Sequence, residues 1–292
     1  MNNILNTIGN TPMVQLQRIH KNENVKVWAK LEGNNPGGSV KDRPALNIIQ
    51  SALERGDIKS GSKLIEATSG NTGIAMALVA RLYNLEIELV MPATSTRERV
   101  LTMQALGAKV TLLESIEVCR DYAEEKAGKG EYYQLNQFAN NDNYLAHYKT
   151  TGPEIWRDTN EGITHFVSSM GTTGTIMGCS MFLKEKREDI QIIGCQPTED
   201  SSIPGIRRWP KEYLPKIFDP RRVDRIIDVS EQNAIKYTRL LAREEGIFAG
   251  MSSGGAAYAA LQLASELKSG TIVFIACDRG DRYLSSNLFD VA

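Results

Sequence analysis

The feature that most constrains the fold of this chain of 292 residues is a repeated alternation of short apolar runs with helix-length stretches. Residues 64–67, 87–91 and 109–113 are strand-like, and each is followed by a segment that suits a helix. The same rhythm returns over residues 164–276. Because strands that alternate with helices form parallel sheets with helical crossovers, the sequence predicts an α/β fold with two doubly wound parallel sheets.

A polar stretch at residues 139–143 (Ala-Asn-Asn-Asp-Asn) separates the two sets of strands and has the composition of a linker. We expect a smaller mobile domain over residues 36–143. Residues 1–35 and 144–292 are expected to form a larger domain that anchors a ligand. In open α/β sheets, ligands bind at the carboxyl ends of the strands, so the loops at those ends are the candidate sites.

Composition disfavours several classes of function. With 41% hydrophobic and 24% charged residues, the chain has a globular composition, and its formal net charge of −1 gives no general attraction to nucleic acid or an anionic membrane. No apolar run approaches the roughly 18 residues of a spanning helix, and the N-terminus does not resemble a signal peptide. Four scattered cysteines indicate a reducing cytoplasm, and three histidines without ligand spacing argue against a catalytic metal.

Lys41 follows a Pro-Gly-Gly turn and precedes a predicted helix over residues 43–54. Ser39 or Asp42 is expected to cap this helix. A lysine on a rigid element suits a covalent role such as a Schiff base. The alternative is an ordinary solvated lysine, although the start of a helix disfavours a positive charge.

Three further loops combine glycines with hydroxyl or amide side chains. Residues 68–73 (Thr-Ser-Gly-Asn-Thr-Gly) contain Asn71, whose amide can both donate and accept. Residues 171–175 (Gly-Thr-Thr-Gly-Thr) can cradle a phosphate but match neither an ATPase P-loop nor a dinucleotide fingerprint. Residues 250–255 offer a serine for a ring nitrogen. Each loop alone also fits a simple turn or helix cap, with Ser253 as the cap in the last one.

Taken together, the four loops predict a site for pyridoxal 5′-phosphate. They supply a lysine, an anchored phosphate, an amide for a ring oxygen and a serine for a ring nitrogen. A neutral serine does not hold the pyridine nitrogen protonated as an aspartate does. The residues therefore favour elimination and replacement at Cβ over transamination.

The motifs resemble those of the cysteine synthases (O-acetylserine sulfhydrylases), which are fold-type II, tryptophan-synthase-β-like pyridoxal-phosphate enzymes. Thr173 in the phosphate loop, together with residues 201–210 and 277–283, is similar to the B isozyme of that family, which accepts thiosulfate as well as sulfide. The resemblance extends over almost the whole chain. The shared motifs are residues 35–43, 66–73, 151–156, 170–175 and 250–254.

The resemblance implies a role for each loop. Lys41 would be the catalytic Schiff-base residue that also moves the proton at Cα. The cofactor would be held by Lys41, Asn71, Gly171, Thr172, Thr173, Gly174, Thr175 and Ser252. The carboxylate of the substrate would be held by Thr68, Ser69, Thr72 and Gln137. The implied reaction in cysteine biosynthesis converts O-acetylserine and sulfide (or thiosulfate) to cysteine (or S-sulfocysteine) and acetate, in a cytoplasmic homodimer.

Recognition of thiosulfate would need donors for a dianion, and arginine is the natural choice. Arg207 and Arg208 lie in the long irregular segment 196–220, and we predict that at least one of them selects thiosulfate, with Cys277 in the same site. The alternative is a solvated surface pair, because further basic residues follow. A nucleic-acid patch is a poor third interpretation, because acidic residues interrupt the basic run.

Two rival functions remain open at this point. One is another fold-type II enzyme, such as a serine/threonine dehydratase or a cystathionine β-synthase, against which the B-type loops argue. The other is a non-catalytic protein that binds a partner through this fold, for which Lys41→Ala would leave the function intact.

Overall fold

The computed structural model describes residues 3–68 and 70–290 and contains two sheets flanked by helices. The strands are β1 (Met13–Gln15), β2 (Val25–Leu31), β3 (Lys63–Ala67), β4 (Glu86–Pro92), β5 (Lys109–Leu113), β6 (Tyr133–Gln134), β7 (His165–Ser169), β8 (Gln191–Pro197), β9 (Arg225–Val229) and β10 (Gly270–Ala276). The helices are α1 (Asp42–Arg55), α2 (Asn71–Leu82), α3 (Arg97–Ala105), α4 (Ile116–Gly128), α5 (Asn141–Lys149), α6 (Thr151–Asp158), α7 (Gly174–Lys186), α8 (Glu231–Glu245) and α9 (Met251–Glu266).

The larger sheet has the strand order β1-β2-β10-β7-β8-β9, and the smaller sheet has the order β5-β4-β3-β6. β1 pairs antiparallel with β2, and the other pairings within the described residues are parallel. Because strands that run in parallel end at the same edge of a sheet, the loops that carry candidate residues are gathered there. The predicted fold class is confirmed.

The apolar residues of the strands alternate between two faces, as the twofold period of a strand requires. In β10, Ile272 and Phe274 pack into the cluster that contains α9, whereas Val273 and Ile275 pack into the cluster that contains α7. In the smaller sheet, Leu64 packs into the cluster that contains α1 and α2, whereas Ile65 packs into the cluster that contains α4. Both sheets are therefore buried on two faces, which fixes their loops at the common edge.

The predicted linker at residues 139–143 is wrong. Asn140 is the N-cap of α5, because its side-chain oxygen accepts the N–H of Asp142 at 2.9 Å. The stretch was taken for a linker because its residues are polar. The helix nevertheless buries Asn143 and His147 against neighbouring hydrogen-bonding groups.

The expected cap of α1 is also wrong, as is the alternative in which Ser253 caps α9. Lys41 itself is the N-cap of α1 and makes no side-chain cap. The Ser39 hydroxyl accepts the N–H of Lys41 at 3.2 Å, and the Asp42 carboxylate accepts the N–H of Gly37. Ser253 lies inside α9, and its hydroxyl accepts the N–H of Cys277 at 2.8 Å. These side chains hold loops of the site instead of helix ends.

The strands of the smaller sheet lie between residues 63 and 134, and those of the larger sheet lie before and after that range. The division into residues 36–143 and residues 1–35 with 144–292, and the mobility of the smaller part, stay predictions. Within residues 3–68 and 70–290, no helix is long and apolar enough to cross a membrane. In the same ranges, no group of three or more His, Cys, Asp or Glu side chains is arranged to hold a metal ion.

Candidate active site

A cavity of about 550 Å³ opens at the carboxyl ends of strands from both sheets. It gathers four loops that are far apart in sequence, and the predicted residues that line it are Lys41, Thr68, Asn71, Thr72, Gln137, Gly171, Thr172, Thr175, Arg207, Arg208, Ser252 and Cys277. Thr173 and Gly174 belong to the same phosphate loop but do not line the cavity. Ser69 lies outside the described residues. The structure thus brings together most of the residues that sequence motifs singled out.

Lys41 lines the cavity at the start of α1. The N–H of its neighbour Val40 donates to the carbonyl of Cys277 at 2.7 Å, which ties the loop to the end of β10. Desolvation lowers the pKa of Lys41, and the nearby Cys277 and Asp278 partly oppose this shift. The lysine is therefore easier to deprotonate than one in water, as a base or a nucleophile requires.

A buried ionic network holds the first turn of α1, directly after Lys41. Arg43 donates to Glu32 at 2.7 Å and to Glu154 at 2.6 Å, and Lys30 pairs with Glu154 at 2.9 Å. The positive partners hold the pKa of Glu154 down at about 2 in spite of its burial. The network joins α1 to β2 and α6, so the backbone at Lys41 has little freedom.

The phosphate loop turns sharply into α7. Thr173 is the N-cap in a left-handed conformation (φ 70°), and the first backbone N–H groups of the helix lack partners within it. The Thr173 hydroxyl is buried, and no hydrogen bond to it is present among the described residues. Trp209 donates its indole N–H to the carbonyl of Gly171 at 2.7 Å, which fixes the loop from outside. The loop therefore presents hydrogen-bond donors without a cationic side chain, which suits a bound phosphate that is not transferred.

Asn71 begins α2, and its amide is held by two side chains that our sequence reasoning did not assign. Its Nδ2 donates to Asp278 at 2.7 Å, and its Oδ1 accepts from Arg282. Tyr283 also donates to Asp278, at 2.6 Å. One proton of the Asn71 amide is left for a ligand oxygen. The similarity of residues 277–283 to the B isozyme was the one signal that pointed to this cluster.

Ser252 is buried at the start of α9, next to the irregular segment that follows β8. Its carbonyl accepts the hydroxyl of Ser169 at 2.8 Å. A Cβ added to Gly205, whose φ of +88° favours glycine, would lie 3.5 Å from the Ser252 hydroxyl. The segment therefore lies in contact with Ser252, which also lines the cavity.

The predicted carboxylate site combines β3, α2 and the loop after β6. Thr72 donates to the Gln137 Oε1 at 2.9 Å, and the Gln137 amide nitrogen donates to the carbonyl of Ala67 at 3.2 Å. Glu66 lies behind this loop and accepts the N–H groups of Asn136 at 2.8 Å and Gln137 at 3.2 Å. Burial raises the pKa of Glu66 to about 7. Sequence reasoning missed Glu66, although a charged residue inside an apolar strand was a usable signal.

Arg207 and Arg208 both line the cavity but differ in their partners. Arg208 donates to the Pro197 carbonyl at 2.8 Å and pairs with Asp228 at 2.6 Å. Arg207 is exposed at the mouth of the cavity. The pKa of Glu117 is lowered mainly by a hydrogen bond from Ser115, and the charge of Arg207 lowers it further. The guanidinium of Arg208 is therefore already engaged, and that of Arg207 is more accessible to an anion.

Two more cations line the cavity and were not predicted. Arg120 lies 5.0 Å from the centre of the Phe138 ring, and Arg99 lies 5.2 Å from that of Tyr283. They come from α3 and α4, on the side of the smaller sheet. The sequence motifs mark the loops after strands, whereas these two arginines reach the cavity from helices.

The comparisons with known proteins agree with this geometry. Residues 4–278 match the family model described as pyridoxal-phosphate dependent enzyme. The chain is similar to cysteine synthase B of Pseudomonas aeruginosa, with 56% identity over 98% of this chain and 97% of that protein. It is also similar to cysteine synthase B of Escherichia coli, with 53% identity over 99% of this chain and 96% of that protein. The chain belongs to the cysteine synthase B family.

Solved structures support this membership. A crystal structure of a cysteine synthase from Entamoeba histolytica superposes with a TM-score of 0.94 and 37% identity, covering 100% of this chain and 91% of that chain. The resemblance found in the sequence and the predicted cofactor class are thereby confirmed. The individual roles of the site residues stay predictions.

The described residues fit the cofactor of a cysteine synthase. The phosphate loop offers N–H groups that have no partner within α7. It also offers the buried Thr173 hydroxyl, to which no hydrogen bond is present in the described part of the chain. Lys41 has a lowered pKa, and Asn71 retains one free amide proton. The lysine, the phosphate loop and the Asn71 amide therefore suit the aldehyde, the phosphate and the ring oxygen of pyridoxal 5′-phosphate.

Proposed function

We propose that this cavity carries out the reaction of a cysteine synthase, in which O-acetylserine and sulfide give cysteine and acetate by replacement at Cβ. The observation that supports the assignment is the convergence of Lys41, Asn71, the phosphate loop and Ser252 on one cavity. These groups come from four separate segments of the chain. A simple helix cap or turn would not require them to meet.

Four elements would hold pyridoxal 5′-phosphate. Lys41 would bind it covalently through Nζ, and residues 171–175 would bind its phosphate. Asn71 would donate to its ring oxygen, and the neutral hydroxyl of Ser252 would meet its ring nitrogen. When bound, the cofactor supplies an electron sink for the electron pair left at Cα.

Lys41 carries the proton in this mechanism. Once the amine of O-acetylserine has taken its place in the covalent link, the free Nζ, with a pKa lowered by desolvation, takes the proton from Cα of the substrate. The Cβ–O bond breaks, and acetate leaves with the electron pair. Sulfide then forms the Cβ–S bond, and Lys41 returns the proton to Cα.

Thr68, Ser69, Thr72 and Gln137 would bind the carboxylate of the amino acid. The Gln137 amide is already oriented by Thr72 and Ala67, so its second N–H is available to an anion. Closure of residues 36–143 over the substrate would exclude water during the reaction.

For the sulfur donor, we propose that Arg207 selects thiosulfate and that Cys277 lies in the same site. Arg207 is exposed at the mouth of the cavity, whereas Arg208 is held by Pro197 and Asp228. This narrows the prediction from the sequence, which treated the two arginines alike.

The test is an absorption spectrum of the purified protein before and after addition of O-acetylserine. We expect a visible cofactor band that shifts on addition of the substrate, and release of cysteine once sulfide is present. Lys41→Ala should abolish turnover. Unaltered activity in Lys41→Ala, or a wild-type protein that binds no cofactor, would refute the assignment and favour a partner-binding role.

We also propose a cytoplasmic homodimer, as the family resemblance implies. Light scattering coupled to size-exclusion chromatography tests the oligomeric state. A mass of one chain at micromolar concentration would contradict it.

A further inference from the structure

Helix α5 carries two buried polar side chains, Asn143 and His147, with 2% and 1% of their surface exposed. Residues four apart lie on one face of a helix, and this face packs against α7 and the phosphate loop. We propose that Asn143 and His147 are positioning residues that turn the hydroxyls of Thr172 and Thr175 into donors for the cofactor phosphate. The inference rests on the proposed function and extends it to the residues behind the phosphate loop.

Asn143 sets the direction of the Thr172 hydroxyl. Its Nδ2 donates to the carbonyl of Gln137 at 2.7 Å, which can only accept, so the orientation of the amide is fixed. The same Nδ2 donates to Thr172 Oγ1 at 3.2 Å, and the N–H of Gly174 points to that oxygen at 3.4 Å. Because both partners are donors, the proton of Thr172 stays available. Thr172 lines the cavity, so this proton is offered to a phosphate oxygen there.

His147 does the same for Thr175. Its Nδ1 lies 2.9 Å from the Thr151 hydroxyl and its Nε2 lies 3.3 Å from the Thr175 hydroxyl. Burial, together with the charges of Arg43 and Lys41, holds the pKa of His147 well below its usual value, so the ring carries one proton. With that proton on Nε2, the ring donates to Thr175 and accepts from Thr151. The opposite tautomer would use up the Thr175 proton and turn an oxygen lone pair toward the phosphate.

Two glycines of α7 allow this approach. A Cβ on Gly174 would lie 2.0 Å from Asn143 Oδ1. A Cβ on Gly178 would lie 2.0 Å from the carbonyl of Tyr144 and 2.7 Å from the Cβ of His147. The glycines are four residues apart, as are the two polar residues that they face. The two helices therefore meet as closely as the hydrogen bonds need.

The test compares two ligands and three variants of the full-length chain. Pyridoxal 5′-phosphate and pyridoxal differ only in the phosphate, so a change confined to the first ligand reports on the phosphate site. Asn143→Leu keeps the approximate shape and removes the donor without adding charge. His147→Asn places its amide near Nδ1 and loses the contact with Thr175. His147→Gln places its amide nitrogen near Nε2 and serves as the matched control.

Dissociation constants are measured by absorbance after removal of the cofactor from the purified protein. We expect Asn143→Leu and His147→Asn to weaken binding of pyridoxal 5′-phosphate by about three- to tenfold, the value of one hydrogen bond. Pyridoxal binding should be unchanged, and His147→Gln should stay within about twofold of the wild type for both ligands, because its donor remains. The ³¹P resonance of the bound cofactor should shift in the first two variants alone.

Equal losses for both ligands would indicate a merely structural role and would overturn the proposal. Unchanged binding of pyridoxal 5′-phosphate in Asn143→Leu and His147→Asn would overturn it as well, as would a His147→Gln variant as weak as His147→Asn. Failure of the wild-type chain to bind either ligand would refute the proposed function, and this inference with it.

Discussion

Replacement of Glu66 by glutamine tests the electrostatics behind the carboxylate loop. Glu66 is 2% exposed and accepts the N–H groups of Asn136 and Gln137, one on each oxygen. Glu66→Gln retains the shape of the side chain and removes its charge and its titration. The amide also turns a donor toward one of the two N–H groups of the loop.

The magnitude follows from the pKa of Glu66. Burial raises this pKa from 4.5 to about 7, in spite of the hydrogen bonds from Gln137 and Asn136. Because the folded chain holds the proton more tightly, the contribution of Glu66 to stability is full below pH 4.5 and is lost as the pH rises through 7. The difference in pKa corresponds to about 3 kcal/mol. The unfolding free energy of the wild type should therefore fall by about 3 kcal/mol relative to Glu66→Gln between about pH 4.5 and pH 8.

The assay is urea unfolding of both proteins at several pH values, followed by circular dichroism. Asp42, with a pKa raised by burial to about 7, titrates in both proteins and cancels in the difference. Glu86→Gln is the matched control, because Glu86 lies exposed at the start of the neighbouring strand β4. A gap between wild type and Glu66→Gln that stays constant with pH, or that changes in the opposite direction, would refute the reasoning.

Three further predictions concern the cavity and the ionic network. Arg207→Ala should reduce turnover with thiosulfate and leave turnover with sulfide unchanged, whereas Arg208→Ala should affect both donors alike. Steady-state kinetics with each donor tests this. An equal loss with both donors in Arg207→Ala would contradict the assignment. Because burial raises the pKa of Cys277 to about 11, its alkylation by iodoacetamide should be slow at pH 7 and rise about tenfold per pH unit up to pH 10; a rate independent of pH, measured by mass spectrometry, would contradict this. Glu154→Gln should lower the unfolding free energy at pH 7 by about 3–5 kcal/mol, because Arg43 loses a buried charged partner; a loss under 1 kcal/mol in urea unfolding would be too small for that explanation.

Sequence patterns predicted the strands well, because their signal is local. The apolar run of β5 ends at the polar residues Glu114 and Ser115. The structure has this strand at Lys109–Leu113, as predicted. Helix α5 was missed because the residues at its start are polar and its buried face is satisfied by hydrogen bonds rather than by apolar contacts. Hydrophobic periodicity does not detect a helix face that is buried through polar residues.

The candidate site was predicted where a motif carried the residue and missed where only the fold brings it near. Lys41, Asn71 and Ser252 stand in motifs of small residues that mark close approach to a ligand. Arg120 reaches the cavity from a helix surface, and Arg282 reaches Asn71 from 211 positions away in the chain. Contacts of that sequence separation depend on how the sheets pack, and no local pattern contains them.

The close contact between α5 and α7 limits which substitutions this sequence can tolerate. Gly174 and Gly178 face backbone or fixed side-chain atoms at 2.0 Å from any added Cβ, so alanine already exceeds the space. Gly128, by contrast, has nothing within 4 Å of an added Cβ. A deep mutational scan should therefore find positions 174 and 178 of helix α7 nearly intolerant of substitution, and position 128 at the end of helix α4 permissive. In a library of randomised variants, the residues at positions 174 and 178 would therefore predict whether a variant is functional better than the residues at many positions with larger side chains.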